Sequence, residues 1–230
     1  SNLPDPAHIP TYFLEKTPRH SLFVKEILYV FPDARIIHII RDGRMVINSI
    51  FKSANTWGGD WVTHNLDKEI IKWKTAVEKG KQAEILVNQK DKYFEIKYED
   101  LRNNPYLIKN IFFWLGLECD ADLLEEIIQK NSIEYMKQTK NYFSSIPQDM
   151  HGNNNEKIFP DEFISKGNYL PKDYGLTRYQ KARFDYLAGD LLLELGYEDV
   201  KSEFSIFFGI QTMIEKSLNI LKRIKNFIFR

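Results

Sequence analysis

An α/β sandwich is the fold class this sequence predicts: a parallel sheet with helices laid against it. Three observations predict it. The stretch "ARIIHII" is a short isoleucine-rich run, the composition of a parallel strand covered on both faces. It passes through Arg41-Asp42-Gly43-Arg44 directly into a helical pattern, giving the strand–turn–helix unit of such folds. A second run, "KYFEIKYEDL", alternates aromatic, apolar and charged residues and reads as a strand ending near Tyr98.

The flanking elements follow in order. Residues 1–12 are proline-rich and extended. "RHSLFVKEILYVFPD" spaces apolar residues at 23, 24, 27, 28 and 31, a helical pattern stopped by Pro32. After the first strand, Asp42 caps a helix running to about Lys52 with Val46, Ile47 and Ile50 on its inner face. "SANTWGGDW" is loop chemistry, and a long helix spans Asn65 to about Val87, with Ile70, Trp73, Lys74 and Val77 spaced along it. Its lysine-rich outer face is a solvated one. Past the second strand, Pro105 opens a helix that Gly116 closes, and a further helix runs from Asp120 to Lys130. Residues 139–160 are polar and rich in asparagine. Thr177 caps an amphipathic helix that ends at Gly196.

The division predicted is an α/β domain over 1–200 and a basic amphipathic helix over 201–230. The latter aligns Ile210, Met213, Ile214, Leu218, Leu221, Ile224 and Ile228 on one face. It docks on the domain or on a second copy as a homodimer contact, or lies on an anionic membrane surface. No internal repeat is present. Two strands are few for the class, so a further strand upstream of Ser1 is expected.

Composition narrows the chemistry. With 43% hydrophobic and 14% aromatic residues the chain is neither disordered nor collagen-like. Its 32 basic and 32 acidic residues cancel, which removes the global electrostatic argument for a nucleic-acid partner. The single cysteine, Cys119, excludes an internal disulfide framework and a zinc cluster, and fits a reducing, cytoplasmic location. The five histidines lack metal-ligand spacing, so no metal is expected. No run of 18 apolar residues occurs. The chain opens at Ser1 rather than at methionine, so a targeting segment could precede it.

The candidate chemistry gathers at strand ends, where ligands sit in open α/β sheets. Arg41 stands at the end of the first strand and can offer a planar, permanently charged fork to a phosphate. The following helix adds N–H groups that favour an anion. Ser49, eight residues on, can turn its hydroxyl to the same anion. The plainer reading is an arginine–aspartate surface pair with an ordinary helical serine. Arg44 reads as a surface or pairing residue. Lys16, in "LEKTP", is a counter-charge for a leaving phosphate or sulfonate. Tyr98 closes the second strand and can flank or hydrogen-bond a purine.

"EKTP", "FPDARIIHIIRDGRMVINS", "YEDLRNNP…FFWLGL", "FISKGNYLPKDYGLT" and "LLLELGYE", in that order over residues 13–198, resemble the sulfotransferase superfamily, its bacterial or carbohydrate-directed branch. The resemblance implies a P-loop-NTPase-like parallel sheet flanked by helices, the sulfotransferase fold. It also implies 3′-phosphoadenosine 5′-phosphosulfate as sulfuryl donor. Arg41 and Ser49 would hold the donor's 3′-phosphate, Tyr98 its adenine, and Lys166 with Gly167 the loop that closes over that phosphate. Ser165 stands where the family commonly has an arginine. Lys16 resembles the lysine near the transferring sulfuryl group.

Two family parts are not found in the sequence. One is the Gly/Ser/Thr-rich loop after the first strand, expected upstream of Ser1. The other is the general base: Pro18 occupies the position where cytosolic members carry histidine, and Glu15 is a poor substitute. The predicted activity is transfer of a sulfuryl group to a hydroxyl of a carbohydrate, lipid or small molecule. The alternatives are a noncatalytic, sulfotransferase-like nucleotide-binding or interaction module and, more weakly, a nucleotide kinase, for which no GxxxxGK[ST] is present. Residues 139–160 and "SANTWGGDW", with Trp57 and Trp61, are expected to shape the acceptor pocket.

Overall fold

The computed structural model describes residues 12–54, 64–87, 90–136 and 174–197, with Ile210 and Ile214 beyond them. The boundary drawn at residue 200, the loop at 139–160, Trp57, Trp61, Lys166 and Gly167 lie outside the described residues. Ile210 and Ile214 are helical and exposed, and the rest of the 204–230 helix lies outside too.

The architecture is α/β. A 3-10 turn, Pro18–Phe23, leads into α1 (Val24–Val30), β1 (Ile36–Ile40), α2 (Gly43–Ala54) and α3 (Leu66–Leu86). Next come β2 (Tyr93–Lys97), α4 (Tyr98–Asn103), α5 (Ile108–Leu115), α6 (Ala121–Lys130) and α7 (Arg178–Glu194). β1 and β2 pair in parallel, Ile36 with Tyr93 through Ile40 with Lys97. The 3-10 turn Pro105–Leu107 precedes α5, where the sequence pattern shows a continuous helix from Pro105. β2 stops one residue before Tyr98, which already belongs to α4. No helix among the described residues is long and apolar enough to cross a membrane.

The helix starts are chemically marked. Asn65 and Asp120 accept the N–H of Lys68 and Leu123 at 3.0 and 2.8 Å. Thr177 and Gln180 exchange side-chain and backbone hydrogen bonds at 3.2 and 2.8 Å, a capping box that starts α7. Gly116 and Gly196, at φ +73° and +70°, end α5 and α7 in the left-handed conformation that glycine takes without a Cβ penalty.

Pairing sends Ile36, His38 and Ile40 to the same face as Tyr93, Glu95 and Lys97. α3 covers that face, and Gly80 is there because a Cβ would collide with the His38 ring. The opposite face is covered by α5 where Trp114 packs on Phe94, ring centroids 5.5 Å apart. Ile39, on that face, stays 53% exposed, while Ile37 is half-buried, so the covering of this face is incomplete where the composition predicts both faces covered. Isoleucine content marks a strand; it does not count the layers around it.

α3 and α7 run in the same direction. Asp67 and Arg183 pair near their starts, with oxygen–nitrogen distances of 2.8 and 2.6 Å, and Lys81 meets Glu194 near their ends at 2.7 Å. Between them and α2 lies the core, centred on Ile40, Ile47, Ile70, Trp73, Phe184 and Leu191. Burying each such side chain stabilises the fold by roughly 1.5–3 kcal/mol. Trp73 and Phe184 meet at 5.3 Å with tilted rings.

Gly43 is wedged against this aromatic pair. A Cβ there would lie 2.5 Å from both Phe184 Cζ and Trp73 Cδ2. Gly43→Ala is therefore expected to cost about 1–3 kcal/mol, because rigid rings must move. Urea denaturation measures it, and an unchanged midpoint would contradict this packing.

His38 carries a pH dependence. Tyr93 donates its hydroxyl proton to Glu95 Oε2 at 2.6 Å, so His38 Nδ1 is the donor toward Tyr93 Oη at 2.9 Å and Glu95 at 3.2 Å. Burial, followed by Lys81, lowers the His38 pKa against the opposing pull of Glu95, while burial and Glu95 raise that of Tyr93. A depressed histidine pKa favours the neutral form in the folded state. The stability it contributes is present above the ordinary histidine value of about 6.5 and is lost as pH falls through the lower, folded value. Unfolding midpoints measured across this range should fall more steeply in the wild type than in His38→Gln.

Candidate anion site at the strand ends

Beyond Ile40 and Lys97 both chains leave the ladder for helices, and the register sets Arg41 beside Tyr98 and Asp42 beside Glu99. The Arg41 guanidinium carbon lies 4.7 Å from the Tyr98 ring centroid, a cation–π stack. Arg41 is half-buried, and its Nε is fully buried with no hydrogen-bond partner among the described residues. A buried N–H without a partner costs free energy, and here it belongs to a permanent cation.

The peptide unit joining Arg41 to Asp42 is gripped at both ends. Its carbonyl accepts from Trp73 Nε1 at 3.2 Å, and its N–H donates to Glu99 Oε1 at 3.0 Å. The other Glu99 oxygen accepts the Tyr197 hydroxyl at 2.8 Å. Lys97 Nζ stands 5.1 Å from the Tyr197 ring centroid.

Of its two sequence readings, surface or pairing residue, Arg44 takes the second. It is 2% exposed and not a surface residue: Nε donates to Asp42 Oδ1 at 3.0 Å and Nη2 to Asp42 Oδ2 at 2.7 Å. Its guanidinium carbon lies 4.0 Å from the Tyr174 ring centroid. Burial works against its charge, and the Asp42 hydrogen bonds and field more than offset that, so its pKa sits above the ordinary arginine value. Asp42 also caps α2 as predicted, accepting the Arg44 N–H at 2.8 Å. Two N–H groups at the start of α2, those of Asp42 and Arg44, serve the carboxylates of Glu99 and Asp42. The arginine that the aspartate pairs with is Arg44, not Arg41.

The other sequence-predicted residues are more dispersed. Ser49 is exposed on the second turn of α2. Lys16 is exposed in the extended segment before Pro18, and none of the contacts among the described residues joins either to Arg41. Glu15 accepts the Thr17 hydroxyl at 2.6 Å, which with the His20 field holds its carboxyl below the usual range and weakens it as a base. Glu99, Tyr174 and Tyr197 were not singled out in sequence. The glutamate is visible in "YED" and Tyr197 in "LGYE", but nothing in the string tells that these stretches meet.

Fold and site define an α/β protein whose parallel strand ends carry a cation stacked on an aromatic ring. A family model described as "Sulfotransferase family" matches residues 3–121, just over half of the chain's 230 residues, so the chain belongs to the sulfotransferase family. It is a transferase of the sulfotransferase kind. The match spans Lys16, Arg41, Ser49 and Tyr98 and stops before Lys166 and Gly167. No curated protein and no solved structure matches the chain.

Asp42→Ala should destabilise the fold by about 3–5 kcal/mol, since it breaks the buried two-pronged pair that Arg44 makes with this carboxylate. Urea unfolding checks it. Replacing both residues by apolar ones of similar volume should cost less than this single change.

Proposed function

We propose that the chain binds 3′-phosphoadenosine 5′-phosphosulfate in a P-loop-NTPase-like site and passes its sulfuryl group to a hydroxyl of a carbohydrate, lipid or small molecule. The observation that carries this reading is Arg41: stacked on Tyr98 at the strand ends, with a buried Nε that has no hydrogen-bond partner among the described residues. An oxyanion is what such a group accepts. A 3′-phosphate there would take the guanidinium's remaining donors, with Ser49 on α2 offering a hydroxyl. One face of Tyr98 is occupied by Arg41, so the adenine is assigned the ring's other face or its hydroxyl. Lys166 and Gly167 complete the phosphate contacts by resemblance to the family.

Sulfuryl transfer, like phosphoryl transfer, passes through a loose transition state and depends on positioning and charge stabilisation. Binding by the 3′-phosphate, remote from the reacting sulfur, supplies positioning. Lys16 is the residue assigned to the charge that builds on the bridging oxygen. Glu15, held charged by Thr17, is not assigned the base.

Titration calorimetry with adenosine 3′,5′-bisphosphate and adenosine 5′-monophosphate tests the reading. The wild type should prefer the bisphosphate. Arg41→Ala should lose roughly ten- to a hundredfold in bisphosphate affinity, the usual scale for a charge-assisted bond, and little for the monophosphate. Arg41→Lys should recover only part, since a point charge cannot stack and fork at once. Equal affinities for the two nucleotides in the wild type would overturn the assignment.

A further inference from the structure

We propose that Glu99 is a positioning residue: resting on the phosphate reading of Arg41, it sets the peptide from which that arginine reaches its anion, and it ties this peptide to the end of α7. Asp42 is the second residue after β1 and the last before α2, so its N–H lies beyond the β1–β2 ladder. Glu99 Oε1 accepts it at 3.0 Å, from the second residue of α4. The carbonyl of the same peptide unit is held by Trp73 Nε1, so the plane of the Arg41–Asp42 peptide is fixed from both sides. Rotation of that plane would swing the Arg41 side chain off Tyr98.

The carboxylate itself is aimed by Tyr197. Gly196 adopts φ +70°, and the N–H groups of Gly196 and Tyr197 bond back to Leu193 and Leu192 at 2.9 Å each. This closure of α7 carries the Tyr197 hydroxyl to Glu99 Oε2 at 2.8 Å. Lys97 lies against the ring of the same tyrosine. A residue more than fifty positions from Arg41 in the chain thus becomes part of its placement.

Two arms test this. Amide exchange of Asp42 needs no nucleotide. Protection there should fall about tenfold or more in Glu99→Ala, with α3 core amides unchanged, and persist in Glu99→Gln, which keeps an oxygen acceptor. The second arm measures the preference for adenosine 3′,5′-bisphosphate over the 5′-monophosphate. It should drop about tenfold in Glu99→Ala, a few-fold in Tyr197→Phe, and be largely retained in Glu99→Gln. Unchanged Asp42 exchange in Glu99→Ala overturns the proposal. So does lost protection with the preference intact, which would make the bond merely structural. If the wild type itself shows no preference, the phosphate reading falls instead, and Asp42 exchange alone decides whether Glu99 sets this peptide.

Discussion

The peptide unit between Arg41 and Asp42 is the constraint on which the site depends. Its carbonyl is held by a core tryptophan and its N–H by a carboxylate from the neighbouring strand end. Neither partner is local in sequence, so the conformation of this turn is over-determined by tertiary structure. Trp73 in turn is locked by Phe184 and by the close approach of Gly43. The hydrophobic core and the polar strand ends are therefore one mechanical system. A change that loosens the packing of α3 against α7 would be felt at Arg41.

Much of the fold was legible in the string. The isoleucine run, the stop at Pro32, the Thr177 cap and the glycines at 116 and 196 act through local backbone physics, and local physics is what a sequence displays. The strand–turn–helix that delivers Arg41, and the strand that delivers Tyr98, were legible for the same reason. Their meeting was suggested by strand ends collecting ligands, but the stack itself needed the parallel register of β1 on β2.

What stayed hidden was partnership. Arg41 and Arg44 flank Asp42 almost symmetrically in sequence, and either could have been its partner. Helical geometry decides: Arg44 sits two residues into the turn, where its guanidinium folds back onto the carboxylate and is sealed by Tyr174. Tyr174 lies well over a hundred residues away, so no local pattern could point to it. Glu99 was hidden differently, since a glutamate in a helix's first turn already has a sufficient local role opposite the helix dipole.

The charges left over give the site its sign. Asp42 and Arg44 cancel within a buried pair whose desolvation is offset by two-pronged hydrogen bonding. Glu99 and Lys97 share Tyr197, one bonded to its hydroxyl and the other resting on its ring. Arg41 has an aromatic face beneath it and no carboxylate pairing with it among the described residues. Arg41 is half-buried at the strand ends, in surroundings of lower dielectric than water. There the proposed oxyanion would be drawn more strongly than to the same arginine on an open surface. Asp42, which lies next to Arg41 in the chain, has its carboxylate engaged by Arg44, so the nearest acid in sequence does not compete with the anion for Arg41.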